Sequence, residues 1–142
     1  EVHDENSFIL GGVSGHAGAF STAVDLSNFV SAILNDGSYK QEKFLSKKTL
    51  QIMKKSHTKG LNQKRGLGWK LQGKSAPSAG DLLSSESFGH TGFTGTSIWV
   101  DPEEDIGIII LTNRVHPDRS RGAEEIQRFR ARMHNLIIGE IK

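Results

Sequence analysis

The run Ile108-Ile109-Ile110-Leu111 is apolar at every position, so a strand built from it carries hydrophobic side chains on both faces. Such a strand needs a covering layer on each side, and it reads as a central strand. It is preceded by the turn signal Asp101-Pro102-Glu103-Glu104-Asp105 and, before that, by Thr96-Ser97-Ile98-Trp99-Val100. The two runs predict an antiparallel hairpin whose second strand spans Ile106–Thr112.

Helices supply the layers. Leu26, Phe29, Val30, Ile33 and Leu34 fall on one helical stripe, with Ser21 or Thr22 able to cap its start and Asn35-Asp36-Gly37 stopping it. A second helix is predicted from Ser46, as N-cap, to about Lys55, with Leu50 and Met53 inward. A last helix is predicted from Gly122 to Ile138, with Ile126, Phe129, Met133, Leu136 and Ile137 on its inner stripe. Residues 1–20 read as loop, because the glycines of Gly11-Gly12-Val13-Ser14-Gly15-His16-Ala17-Gly18 do not suit a regular element. That loop either packs as a tight turn or lines a ligand site. Gly66–Gln72 and Ser87–Phe93 read as further strands, and the Ser, Gly, Ala and Pro of residues 73–86 as a long surface loop. Strands in one run with helices on either side predict an α+β domain, an antiparallel sheet flanked by helices, over residues 1–142.

Composition excludes several functions. A chain of 142 residues with no cysteine has no disulfide, no thiolate nucleophile and no Cys-ligated zinc. A net charge of +2 gives no dedicated nucleic-acid surface, although the pI lies near 9.0. No apolar stretch approaches the ~18–20 residues of a transmembrane segment. The six histidines form none of HxH, HxxxH or HExxH, so neither a metal nor another cofactor is expected. The basic cluster from Lys47 to Lys64 and Arg65, and the arginines around the last helix (Arg114, Arg119, Arg121, Arg128, Arg130 and Arg132), read mainly as solvated faces. Some of these arginines are candidates to bind an anionic group.

The segment Gly89-His90-Thr91-Gly92-Phe93-Thr94-Gly95-Thr96 is the most unusual. Glycine within a strand marks a bulge or a close approach to the backbone. The plain reading is a bulged hairpin with one exposed histidine. The functional one is a wall for a ligand, with a titratable ring and a hydroxyl beside it. Ser56-His57-Thr58-Lys59 has the SxxK spacing of some serine hydrolases, but its serine follows a helix instead of opening one, and Gly60 comes directly after. It reads as a coincidence.

The stretch from Ser87 to Pro117, together with Val2-His3-Asp4-Glu5-Asn6, Leu10–Ala23, Asp25-Leu26 and Gly66-Leu67-Gly68-Trp69, resembles the C-terminal part of the class C β-lactamase-like and penicillin-binding serine hydrolases. The resemblance implies that His90-Thr91-Gly92 is the Lys/His-Thr-Gly motif, on a sheet strand beside the nucleophile. By the same resemblance His90 and Thr91 polarise the hydroxyl network and hold a substrate carboxylate. The backbone N–H of Phe93 forms half of an oxyanion hole. Gly92 lies against the substrate, and Arg121 takes the place of a carboxylate-recognising group.

The family's SxxK nucleophile and tyrosine base have no counterpart here, since the only tyrosine is Tyr39 in a Gly-Ser-Tyr-Lys turn. The chain starts at Glu1, and its methionines are Met53 and Met133, so it is expected to be part of a longer protein. Its expected partners are an amide, ester or β-lactam substrate and the missing N-terminal part of the domain. In the absence of that part, self-association through a bare strand edge is expected. A non-catalytic binding or structural module is the alternative, and an unrelated α+β binding domain a third. Cell-wall chemistry implies an exported or envelope protein, and other substrates a cytoplasmic one.

Overall fold

Three of the α-helices begin where a side-chain oxygen caps them, whereas the last starts at Gly122 without one. In the computed structural model, which describes residues 1–73, 76–120 and 122–142, Thr22 Oγ1 accepts from the Asp25 N–H at 3.1 Å and opens α2 (Ala23–Leu34). Ser46 Oγ accepts from the Thr49 N–H at 2.9 Å and opens α3 (Lys47–Lys54). Caps of this kind contribute about 1 kcal/mol each. Residues 1–20 are not all loop. Asp4 Oδ1 accepts from the Ser7 N–H at 2.8 Å and starts the single-turn helix α1 (Glu5–Ile9). Between α2 and α3 lies a hairpin of two-residue strands, β1 (Ser38–Tyr39) and β2 (Glu42–Lys43).

The main sheet has four strands, β3 (Lys70–Leu71), β4 (Phe88–Thr91), β5 (Ser97–Asp101) and β6 (Ile106–Ile110). They pair antiparallel in the order β3-β4-β5-β6. The predicted hairpin is β5–β6, with Trp99 opposite Ile108 and Val100 opposite Gly107. Side chains alternate across the sheet. On one face Phe88, Val100 and Leu71 pack with Val30 and Ile33 of α2, Leu50 of α3, and Trp69. On the other, Trp99 and Ile108 pack with Ala79, Leu83 and Ile138 of α4 (Ala123–Ile141). The fold is α+β, an antiparallel sheet between helices.

Three expectations need correction. First, β6 is covered on both faces as predicted, but it is an edge strand of this sheet and not a central one. Second, the described part of the predicted surface loop 73–86, from residue 76 on, does not simply cross the surface. A 3₁₀ turn over Pro77–Ala79 is driven under α4, where Ala79 and Ser78 are buried.

Third, α4 turns a different face inward. Its buried residues are Arg130, His134 and Ile138, whereas Phe129 and Leu136 are 43% and 61% exposed. Backbone carbonyls facing α4 are the reason. His134 Nδ1 lies 3.1 Å from both the Ser78 and Ala79 carbonyls, and Arg130 donates to three others. Buried carbonyls need donors, and that requirement outweighs an apolar stripe. Arg130 is therefore not part of a solvated helix face.

Candidate active site

β4 has a partner on one side along its whole length and on the other along half of it. His90 pairs with Ile98 and Thr91 with Ser97 of β5. On the β3 side, Leu71 pairs with Phe88 and Lys70 with Gly89, and the pairing ends there. The chain turns just before Lys70, where the Gly66 N–H donates to the Trp69 carbonyl at 3.0 Å and Arg65 bridges to Lys70. Among the described residues no strand flanks the edge of His90 and Thr91, where the Thr91 carbonyl meets the His90 ring in place of a strand.

At Gly89 the neighbouring strand comes close. A Cβ there would run into the Ile98 carbonyl oxygen and lie 2.6 Å from Trp99 Cδ2. The close approach foreseen at this glycine is made by the core and not by a ligand.

His90 and Thr91 project to opposite faces, and each meets a cation. Arg65 Nη1 donates to His90 Nε2 at 3.0 Å. A guanidinium has no acceptor, so Nε2 must accept, and the ring proton sits on Nδ1, 3.0 Å from the Thr91 carbonyl. Burial pushes the His90 pKa below 6.5, and the charges of Lys70 and Arg65 act the same way against the Thr91 carbonyl. The ring is neutral with both nitrogens engaged, so it has no lone pair left for a general base. On the other face Lys70 Nζ donates to Thr91 Oγ1 at 2.9 Å. Burial lowers the Lys70 pKa, and the neighbouring Arg65 and Arg130 add to the effect.

Phe93 follows in the turn after β4 and is 54% exposed. Arg114 lies 4.6 Å and Arg119 5.4 Å from its ring centre, and the His3 ring is 5.5 Å away. Arg114 Nε also donates to the Phe93 carbonyl at 2.7 Å. Beside this group opens a cleft of about 510 Å³, lined by Glu1, Val2, His3, Glu5, Phe8, Ile9 and Arg119, with Arg119 Nη1 3.4 Å from Glu5 Oε1. Gly92 donates its N–H to the Thr96 carbonyl at 2.7 Å, and its missing Cβ leaves room for Thr96 Oγ1. Thus His90, Thr91, Gly92 and Phe93 form one continuous wall. Arg121 lies outside the described residues.

Three basic residues border this segment, a fourth, Arg130, is buried behind it, and none was singled out by motif. Arg65 and Lys70 reach it through the turn before β3, and Arg114 and Arg130 from beyond β6. The signals in the sequence were the excess of arginine toward its end and the basic cluster ending in Arg65, which was read as a solvated face although Arg65 bonds His90. Ser56 and Lys59 lie in the loop after α3, outside any helix, so the SxxK spacing does not set them one helical turn apart.

A second polar chain joins Asp4, His16 and Ser14. His16 Nε2 donates to Asp4 Oδ1 at 2.9 Å, and Nδ1 lies 3.1 Å from Ser14 Oγ. Ser14 Oγ is also 2.9 Å from the Ala17 carbonyl, which competes for its one proton. The cleft lining does not include Ser14. With Ser7 Oγ bonded to Ala17 at 3.0 Å, these residues fold the glycine loop back onto α1. The loop is thus a packed turn beside the cleft.

The geometry finds its parallel in known proteins. A chain titled a β-lactamase from Mycobacterium bovis superposes with a TM-score of 0.72 at 23% identity, covering 88% of this chain and 46% of that one. A protein from Escherichia coli O157:H7 named "Putative D-alanyl-D-alanine carboxypeptidase" is 38% identical over 119 residues, and one of the same name from Salmonella gallinarum is 41% identical over 120. These matches take in 82% of this chain but 27% of each relative, so the chain corresponds to part of a larger domain. The sequence model of the Beta-lactamase family matches residues 1–132, nearly the whole chain, and on that match the chain belongs to the β-lactamase family.

Proposed function

We propose that the chain is the C-terminal part, residues 1–142, of a serine hydrolase that works through an acyl-enzyme, and that it supplies the substrate-binding wall. The open edge of β4 at His90 and Thr91, framed by Arg65 and Lys70, is the observation that carries this reading. A substrate acyl chain lies along that edge as an added strand. The nucleophilic serine and its base come from the part of the domain outside this chain. When the serine attacks, the carbonyl oxygen becomes an oxyanion and the Phe93 N–H donates to it. A preorganised donor of this kind is worth about 3–4 kcal/mol at the transition state.

The cations define the substrate. Arg65, Lys70, Arg114 and Arg119 surround the edge and the Phe93 turn, and the cleft sets two carboxylates, Glu1 and Glu5, against these four cations. That surface suits an acyl compound bearing a carboxylate. The names of the relatives make a peptide ending in D-alanyl-D-alanine the first substrate to try, with β-lactams and simple esters next. A peptide of that kind belongs to cell-wall chemistry and would place the protein in the cell envelope.

Labelling with a fluorescent penicillin and a fluorophosphonate, on the full-length protein and on this chain, is the test. Labelling of the full-length protein alone is expected. Labelling of this chain would place a nucleophile within it. A full-length protein that neither reagent labels, yet that binds such peptides, would be the non-catalytic module instead.

A further inference from the structure

The turn from Gly92 to Thr96 has all five of its carbonyls engaged. The Gly92 carbonyl accepts from Arg130 Nη2 at 3.1 Å and from the Gly95 N–H at 3.2 Å. Phe93 and Thr94 accept from Arg114, through Nε at 2.7 Å and the backbone N–H at 2.8 Å. The Gly95 carbonyl accepts from Arg130 Nε at 3.0 Å, and the Thr96 carbonyl from Arg130 Nη2 at 3.0 Å and the Gly92 N–H at 2.7 Å. One buried side chain, Arg130, thus grips three of the five.

That grip has a directional consequence. A peptide group is planar, and its C=O and N–H point opposite ways. Gly92 C=O and Phe93 N–H belong to the same peptide. With the carbonyl drawn toward Arg130, the Phe93 N–H faces away from α4. Among the described residues it donates to nothing. The positive charge behind the carbonyl also polarises the amide and strengthens its N–H as a donor. Arg130 is 3% exposed and has no carboxylate partner among the described residues. A guanidinium is expensive to bury, and core packing alone gives no reason to place one here.

We infer that Arg130 is a positioning residue for the reaction: its three-carbonyl clamp fixes the Gly92–Phe93 peptide so that the Phe93 N–H points at the developing oxyanion. The inference rests on the function proposed above. It assigns the orienting of the oxyanion donor to a residue that never touches substrate.

The test uses the full-length protein with Arg130→Met and Arg130→Lys, and Arg128→Met as an exposed control on the same helix. Turnover of p-nitrophenyl acetate is measured per site titrated with fluorophosphonate, and affinity is measured for phenylboronic acid, which forms a tetrahedral adduct. Arg130→Met is expected to lower kcat about 10²-fold with KM nearly unchanged, and to weaken the boronate in parallel. Arg130→Lys, which keeps the charge and some donors, is expected to recover part of the loss and carries the test if Arg130→Met does not fold. Arg128→Met is expected to behave as wild type. Folded Arg130 variants with wild-type kcat per titrated site overturn the inference and leave the proposed function standing. A wild-type protein that neither turns over ester nor titrates overturns the function, and this inference with it.

Discussion

Lys70 and Thr91 meet across the β3–β4 pair, the ammonium donating to Thr91 Oγ1 at 2.9 Å. A hydroxyl that accepts from an ammonium directs its own proton elsewhere, and in the function proposed above that proton goes to a substrate carboxylate. In the full-length protein, Lys70→Met is expected to raise KM for a carboxylate-bearing substrate about tenfold, the worth of one charge-assisted hydrogen bond. Thr91→Val is expected to do the same, and the double variant little more. The Lys70 pKa is depressed from 10.5, by burial first and then by Arg65 and Arg130, so the ammonium is lost before pH 10.5. KM should therefore climb on the alkaline side earlier than for an ordinary lysine, a rise that Lys70→Arg should abolish. A KM–pH profile of wild type and Lys70→Arg checks both points.

His134 makes the fold sensitive to acid. Its ring is buried, Nδ1 faces the Ser78 and Ala79 carbonyls, and Nε2 has no hydrogen-bond partner. Burial lowers its pKa from 6.5, and the charge of Arg130 adds to this, against the two carbonyls. A depressed histidine pKa means that the unfolded chain binds the proton more readily. Stability contributed by neutral His134 is therefore complete above about pH 6.5 and declines as pH falls below it. Urea unfolding at pH 7.5 and 5.5 should show that decline. Asparagine at position 134 keeps a donor for the carbonyls and no titrating ring, so His134→Asn should flatten it. An equal decline in the variant would assign the effect to other groups, His90 first.

How much of this was legible in the sequence depended on the range of the interaction. Thr22 and Ser46 cap helices through groups three residues away, so those starts were readable. The β5–β6 hairpin was readable because Asp101–Asp105 turns locally. Asp4 also caps locally, but the glycines around it masked α1. The apolar stripe through Phe129 and Leu136 misled, because the demand for donors from Ser78, Ala79, Gly92 and Gly95 arises dozens of residues away. Of the proposed site, His90 to Phe93 were named from resemblance. Arg65, 25 residues earlier, and Arg130, 38 residues later than Gly92, were not, since no short motif holds them together.

Gly89 offers a separate test of how the core shapes the wall. The Trp99 indole occupies the place of a side chain there. Trp99 is fully buried and cannot swing away. Gly89→Ala must push β4 and β5 apart or rotate the strand, and overpacking of this kind costs about 1–3 kcal/mol. His90 and Thr91 lie just beyond, so activity per folded molecule should fall as well. Thermal unfolding together with penicillin labelling separates the two effects. A Gly89→Ala protein with wild-type melting would show that both the Ile98 carbonyl and the indole yield.

The last prediction concerns β6. Its side facing away from β5 has no strand partner among the described residues, although Ile108 and its neighbours are covered above and below by α4 and α2. An apolar strand with an unpaired backbone edge is a template for another strand. In the resemblance that edge is taken by a strand from the N-terminal part of the domain. Produced alone, the 142-residue chain should therefore associate with itself, and sedimentation should show species above 15.6 kDa that grow with concentration. The exposed apolar residues of α4, Phe129 and Leu136, offer a competing contact. Substituting both with glutamate should leave the association intact if strand pairing drives it, and abolish it if the helix face does. A chain that stays monomeric at every concentration would show that the edge is protected without the rest of the domain.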